Sequence, residues 1–249
     1  MTPCRQRLAL LGLGLLSSAC GNAATPAIAP IRVFAAASLT APFEAIGRAY
    51  EQKFPGSTVE LHFAGTPQLV LQIREGAEVD VFAAADPTNM QKVVELGKTA
   101  APPAEFARNA LAIVVAAGNP HAVQGLADLA RQGLRVALCG PEVPAGKYAR
   151  QVLQQAGLSV TSVSDEPSVK ALVSKVQLGE LDAGIVYTTD TRTKGVIAVS
   201  IAAAQNLVAS YPLAVLSTGR NRTGGEQFAA FVRGDAGRAL LAEHGFVLP

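Results

Sequence analysis

Ile31-Arg32-Val33-Phe34-Ala35-Ala36-Ala37-Ser38-Leu39-Thr40 runs an apolar strand into small and hydroxyl residues, and a helical pattern starts at Pro42. The device recurs. Leu61-His62-Phe63 leads through Ala64-Gly65-Thr66-Pro67 to a second helical stretch. Residues 135–139 lead through Gly140-Pro141-Glu142-Val143-Pro144-Ala145-Gly146 to a third. A helix N-terminus presents unpaired N–H groups and the positive end of the macrodipole, so several converging on one point make an anion cradle. The pattern implies capture of a small oxyanion rather than catalysis.

Outward from that stretch, Leu39, Phe43, Ile46, Tyr50 and Phe54 share one helical face that Pro55-Gly56 terminates. Val59, Leu61 and Phe63 alternate as a strand, and a short helix around Leu69, Val70 and Ile73 stops at Gly76. Residues 79–85 read as a buried strand, after which Asp86-Pro87 opens a helix through Met90, Val93 and Val94. Strands alternating with helices at this pace predict a parallel, helix-covered sheet. Ala100-Ala101-Pro102-Pro103 breaks the series, and a long apolar strand follows at 110–117. A second α/β series has strands at 135–139, 159–163 and 184–187 and helices at 148–156 and 169–178; a strand at 211–216 and two short helices close the chain. The expected fold is α/β with two lobes, each a mostly parallel sheet flanked by helices. Lobe I takes residues 31–108 and 211–249, and lobe II takes 109–210. The strands at 110–117 and 211–216 are the expected crossings, and the cleft between the lobes is the expected ligand site.

The first 20 residues stand apart. Arg5 and Arg7 form a basic n-region, residues 8–16 an apolar h-region, and Ser17-Ser18-Ala19 a small-residue cleavage zone. Such a core is too short to span a bilayer, so residues 1–20 read as an export signal and the Ala- and Pro-containing 21–30 as a flexible tether. Cys20 after Ser18-Ala19 resembles a bacterial lipobox, with Ser17 where Leu is usual, and Cys20 is the expected lipid anchor; ordinary cleavage near Ala23 or Ala24 is the alternative. Of 249 residues, 16% are charged; without Arg5 and Arg7, 19 basic residues balance 19 acidic. That neutrality argues against a nucleic-acid partner. Three cysteines, one lost with the signal, leave no disulfide framework, and Cys139 reads as a small core residue.

Several sharper motifs fail. Gly140 to Gly146-Lys147 has one residue too many for a phosphate loop, and Tyr148 replaces the magnesium-binding hydroxyl, so Lys147 is expected to be exposed. Asp86 reads as a helix cap and Asp80 as a structural or rim residue. His62, His121 and His244 are scattered without metal-ligand spacing. No nucleophile elbow, zinc motif or DNA-binding segment supports an enzyme or a regulator's sensing domain.

Taken together, residues 34–40, Phe63-Ala64-Gly65 with Gln72-Ile73, residues 80–86, residues 144–149, residues 184–187 and the closing Gly245-Phe246 resemble the periplasmic molybdate-binding proteins of ABC importers. The resemblance covers roughly 31–249 in motif order. It implies a two-lobed periplasmic-binding-protein fold that closes on one molybdate or tungstate ion, with molybdenum present as the oxyanion and no direct metal-cation ligand or separate cofactor. It implies binding through Ser38 by hydroxyl and amide, Thr66, the Ala145 and Val169 backbone N–H groups and the Tyr187 phenol. It also implies a monomer outside the cytoplasmic membrane that delivers its ion to a membrane permease. Thr66 stands where the family usually has Ser, and Pro67 has no N–H to lend, so this corner bears on the site's width and anion preference. Sulfate and phosphate stay open as alternative cargoes, and an enzyme on the same fold as a more distant one.

Overall fold

The computed structural model describes Met1 and residues 29–249; the expected signal, most of the expected tether and Cys20 lie outside the described residues. The first unit comprises β1 (Ile31–Ala36), a 3₁₀ turn (Ala37–Leu39), α1 (Thr40–Lys53), β2 (Val59–Ala64), α2 (Thr66–Arg74), β3 (Val81–Ala83) and α3 (Pro87–Glu95). The long β4 (Ala104–Ala116) leads into the second unit: β5 (Val136–Cys139), α4 (Pro144–Gln155), β6 (Asp165–Glu166), α5 (Val169–Gln177) and β7 (Ala183–Tyr187). The chain then forms β8 (Val196–Ser200), β9 (Val208–Val215), α6 (Arg222–Arg233) and α7 (Asp235–Glu243). The predicted α/β character and the order of the main elements hold. Phe43, Ile46 and Tyr50 bury the inner face of α1, while Phe54 lies just past its end and is partly exposed.

The strands form one sheet in the order β2-β1-β3-β9-β4-β7-β5-β6, with β8 also on β4. Its flanks repeat the same arrangement from the outside inward. β1 pairs in parallel with β2 and β3, and β5 with β6 and β7. The antiparallel ladders all involve β4 or β9. The first half of β4 pairs with β9, and its second half passes to β7 and β8. β4 starts earlier than predicted because residues 104–110, only partly apolar, are held by that ladder, with Phe106, Ala107 and Asn109 buried.

A carboxylate repeats with the topology. Asp80 donates its N–H to the Arg32 carbonyl at 2.9 Å, and its Oδ2 accepts the Arg32 N–H at 2.8 Å. Asp182 donates to the Arg135 carbonyl at 2.9 Å, and its Oδ2 accepts the Arg135 N–H at 2.8 Å. In both units, therefore, an aspartate just before the third strand locks the start of the first. Asp80 Oδ1 also accepts the Asn221 N–H at 2.8 Å, tying down the approach to α6. The sequence left Asp80 as structural or rim; it is structural and buried.

One expected strand is not formed. Residues 159–163 lie outside any ladder, although Val163 N–H donates to the Val136 carbonyl and Ser162 Oγ accepts the Leu138 N–H. The side-chain hydroxyl takes the place of a ladder carbonyl, and pairing resumes only at β6. β8 is an element the sequence reading did not separate. Around the centre, Phe43, Phe106, Tyr211, Tyr187 and Phe246 meet edge to face, with ring centroids 5.3 to 6.5 Å apart.

Asp80→Ala is expected to cost about 2–3 kcal/mol of unfolding free energy, because two backbone N–H groups lose a buried charged acceptor. Urea denaturation checks this; a midpoint unchanged from wild type contradicts the proposed lock.

Candidate functional site

The four helix starts α1, α2, α4 and α5 meet. Ser38, Thr66, Ala145, Val169 and Tyr187, singled out from separate parts of the sequence, line one small cavity together with Ala36, Ala37, Gly65, Ala85, Val143, Pro144 and Ser168. None of these residues is charged. All five are buried. Two arrive from β1 and β2 and two from the loops after β5 and β6, so each α/β unit supplies a pair of helix N-termini; Tyr187 closes the ring from the end of β7.

The local sequences explain the geometry. Ser38 lies in the 3₁₀ turn that joins β1 to α1. Thr66 is the first residue of α2 after Gly65, with Pro67 inside the first turn. Pro144 opens α4, which leaves Ala145 in the first turn with an N–H that no helical carbonyl can reach. Val169 opens α5, and Ser168 caps it by accepting the Ala171 N–H at 3.3 Å. Ser168 thus caps the helix while Val169 contributes its first-turn N–H group, so the two roles coexist. The helix dipoles add positive potential at the same place without any ionised group.

Two hydroxyls are conspicuous. Thr66 Oγ1 and Tyr187 Oη are fully buried and meet no partner in good hydrogen-bond geometry, although the Tyr211 hydroxyl lies near Tyr187 Oη. An unsatisfied buried hydroxyl is costly, and natural structures rarely retain one without a use for it. Both line the cavity. Burial, reinforced by the charges of nearby groups, pushes the Tyr187 phenol far above its usual titration range, so it is a permanent donor. Ser38 Oγ instead lies 3.1 Å from Tyr211 Oη, a partner that the sequence reading missed because position 211 is 173 residues away. Chemically, the cavity offers donors and no acidic acceptor: it suits a compact, fully deprotonated anion.

The surroundings settle the other readings. Asp86 caps α3, with Oδ1 accepting the Asn89 N–H at 2.9 Å, and burial raises its pKa. Lys147 is exposed and donates to Thr88 Oγ1 at 3.0 Å, at the rim rather than in the cavity. Cys139 is buried, and its thiol is pushed up by desolvation, consistent with a core role. Among the described residues no group of three His, Cys, Asp or Glu side chains is placed to hold a metal ion.

The profile of the bacterial extracellular solute-binding proteins matches residues 31–247. The chain belongs to this family. The molybdate-binding protein ModA of Mycobacterium tuberculosis H37Rv is 39% identical to this solute-binding protein over 252 residues, covering 97% of this chain and 95% of the relative. Among solved structures, the periplasmic molybdate-binding protein of Azotobacter vinelandii shares the fold with a TM-score of 0.76 at 22% identity, over 88% of this chain and 99% of its own. The sulfate-binding protein SubI of M. tuberculosis shares it with a TM-score of 0.75 at 20% identity, over 88% and 86%. The two scores are nearly equal, so this fold is shared by proteins whose names give different anions.

Gly65 brings the opposite walls of this cavity together. A Cβ there would lie 2.2 Å from the Pro167 carbonyl oxygen. In this solute-binding protein, Gly65→Ala is expected to force those walls apart, lowering ligand affinity at least tenfold and unliganded stability by about 1–3 kcal/mol. Calorimetric titration beside urea denaturation checks both halves of the statement.

Asp190 supports Tyr187 by accepting its N–H at 3.1 Å, and burial raises the Asp190 carboxyl to about 7. The native state therefore holds this proton over a range in which the unfolded chain has released it. The associated stability is full below the ordinary aspartate pKa and is lost as pH rises through 7. Relative to wild type, Asp190→Asn is expected to gain stability from about pH 4 to pH 7 and to level off above that, as measured by thermal unfolding; a difference independent of pH contradicts the assignment.

Proposed function

We propose that this solute-binding protein captures molybdate or tungstate outside the cytoplasmic membrane and hands it to the permease of an ABC importer. The observation that carries the reading is the cavity's uncharged, donor-rich lining: two buried hydroxyls without partners and four helix starts, with no charged residue among them. A doubly negative tetrahedral oxyanion has four acceptor oxygens and nothing to donate, so neutral donors can satisfy it through charge-assisted hydrogen bonds. Without Arg or Lys, discrimination falls to radius and donor placement, and sulfate is smaller than molybdate. Phosphate keeps a proton near neutral pH, and this lining offers no carboxylate to accept it. The ModA relative's name supports the larger anion.

In this reading, lobe I comprises residues 31–108 and 211–249, lobe II comprises 109–210, and β4 and β9 are the crossings about which they close. Ser38 and Thr66 bind from lobe I; Ala145, Val169 and Tyr187 bind from lobe II. The anion bridges the lobes and stabilises the shut form, because it meets its full donor set only there. The protein acts as a monomeric carrier without cofactor or catalysis. Its signal, residues 1–20, directs export, Cys20 carries a lipid, and residues 21–30 give the domain reach above the membrane. No described helix is long and apolar enough to cross a membrane.

A thermal-shift panel with molybdate, tungstate, sulfate and phosphate tests the cargo. At a thousandfold excess over Kd, a ligand specific to the native state adds about 4 kcal/mol, which corresponds to a rise of about 10 °C for a domain of this size. Molybdate and tungstate are expected to produce it; a rise with sulfate or phosphate alone overturns the proposal. Tyr187→Phe should sharpen the test by moving two readouts in opposite directions. It removes a buried hydroxyl that lacks a partner, so the unliganded melting temperature holds or rises while molybdate affinity falls about tenfold.

A further inference from the structure

We infer that Tyr211 is a positioning residue of the anion site: it donates its phenolic hydrogen to Ser38 Oγ and thereby leaves the single Ser38 hydrogen for the bound anion. This rests on reading the cavity as an oxyanion site. The two oxygens are 3.1 Å apart, and either can be the donor by geometry alone; Asn109 and Tyr187 also approach the Tyr211 hydroxyl, but Asn109 Oδ1 already accepts the Ala110 N–H at 3.0 Å and its amide donates to Thr189 Oγ1 at 2.8 Å. The ligand removes that ambiguity. A fully deprotonated oxyanion only accepts, so a Ser38 hydroxyl that spent its hydrogen on Tyr211 would turn lone pairs toward the negative charge. With Tyr211 donating, Ser38 points its hydrogen at the anion, and the chain Tyr211–Ser38–anion polarises in one direction, which strengthens each bond.

The structure equips Tyr211 for this. It is fully buried in β9, and desolvation holds its phenol well above the usual titration range, so its hydrogen is always present. Its ring is fixed on three sides: Phe106 at 6.5 Å and 90°, Phe246 at 5.3 Å and 86°, and Tyr187 at 5.6 Å and 65°. The last contact matters because Tyr187 carries one of the two hydroxyls without a partner. One ring on a central strand therefore sets the hydrogen of a donor after β1 and braces the ring of a donor at the end of β7. Donors supplied by both α/β units are registered against each other through Tyr211.

The test is a double-mutant cycle on the full chain, titrated calorimetrically with molybdate. Tyr211→Phe keeps the ring and loses only the hydroxyl; it is expected to bind about tenfold more weakly while the urea midpoint of the unliganded protein stays near wild type. In a Ser38→Ala background the same change should alter affinity less than about twofold, since the hydroxyl acts only through Ser38. Phe106→Leu, which loosens the same packing and keeps the hydroxyl, should stay within about threefold of wild type. Wild-type affinity in Tyr211→Phe overturns the inference, as does an equal loss with and without Ser38 or a Phe106→Leu loss matching that of Tyr211→Phe. If Tyr211→Phe folds poorly, proton NMR of the bound wild type decides: a slowly exchanging Tyr211 hydroxyl proton close to the Ser38 β-protons supports the inference, and its absence overturns it. A wild type that ignores molybdate defeats the functional reading; a wild type that binds it with an unperturbed Tyr211→Phe defeats this inference alone.

Discussion

A helix cannot satisfy the N–H groups of its own first turn, and in a parallel α/β unit the turn that starts each helix lies at the strand's C-terminal end. That constraint organises this protein. Four such starts, opened by Ser38, Thr66, Pro144-Ala145 and Ser168-Val169, are gathered at one small cavity and surrounded by alanine and glycine, so backbone rather than side-chain bulk faces the space. Donors accumulate there because no residue of the lining supplies a compensating charge.

Two features of the sheet make the gathering possible. Asp80 and Asp182 lock equivalent strand starts, so each α/β unit holds its pair of helix N-termini in a fixed frame. Between the frames, β4 pairs with β9 along its first half and with β7 along its second, so both flanks share central strands that run antiparallel to their neighbours. Tyr211 stands on one of these central strands. The same scaffold is found, with nearly equal backbone similarity, in a molybdate-binding and a sulfate-binding protein.

The site is held at some expense to stability. Buried hydroxyls without partners and a buried aspartate that retains its proton to about pH 7 all cluster around Tyr187 or across the cavity from it. A protein selected for stability alone would replace Tyr187 by Phe and Thr66 by Val. Their retention is the thermodynamic mark of a site shaped for something that supplies acceptors.

Much of this was legible in the chain itself. The 2-residue and 3.6-residue periods located most of the strands and helices, Asp86-Pro87 announced a cap, and the strand-to-hydroxyl turns at Ser38 and Thr66 pointed to an anion, because these signals are local and act through backbone chemistry within a few residues. The unformed strand at 159–163 and the early start of β4 show the limit: whether an extended segment joins a ladder depends on what its neighbour offers as well as on its own residues. Tyr211 beside Ser38, Asp190 beneath Tyr187 and Gly65 against Pro167 were likewise beyond reach. Periodicity can say that a residue is buried, but only the folded topology decides which distant atom it meets, and hydrogen bonds and steric contacts act over a few ångströms regardless of separation along the chain.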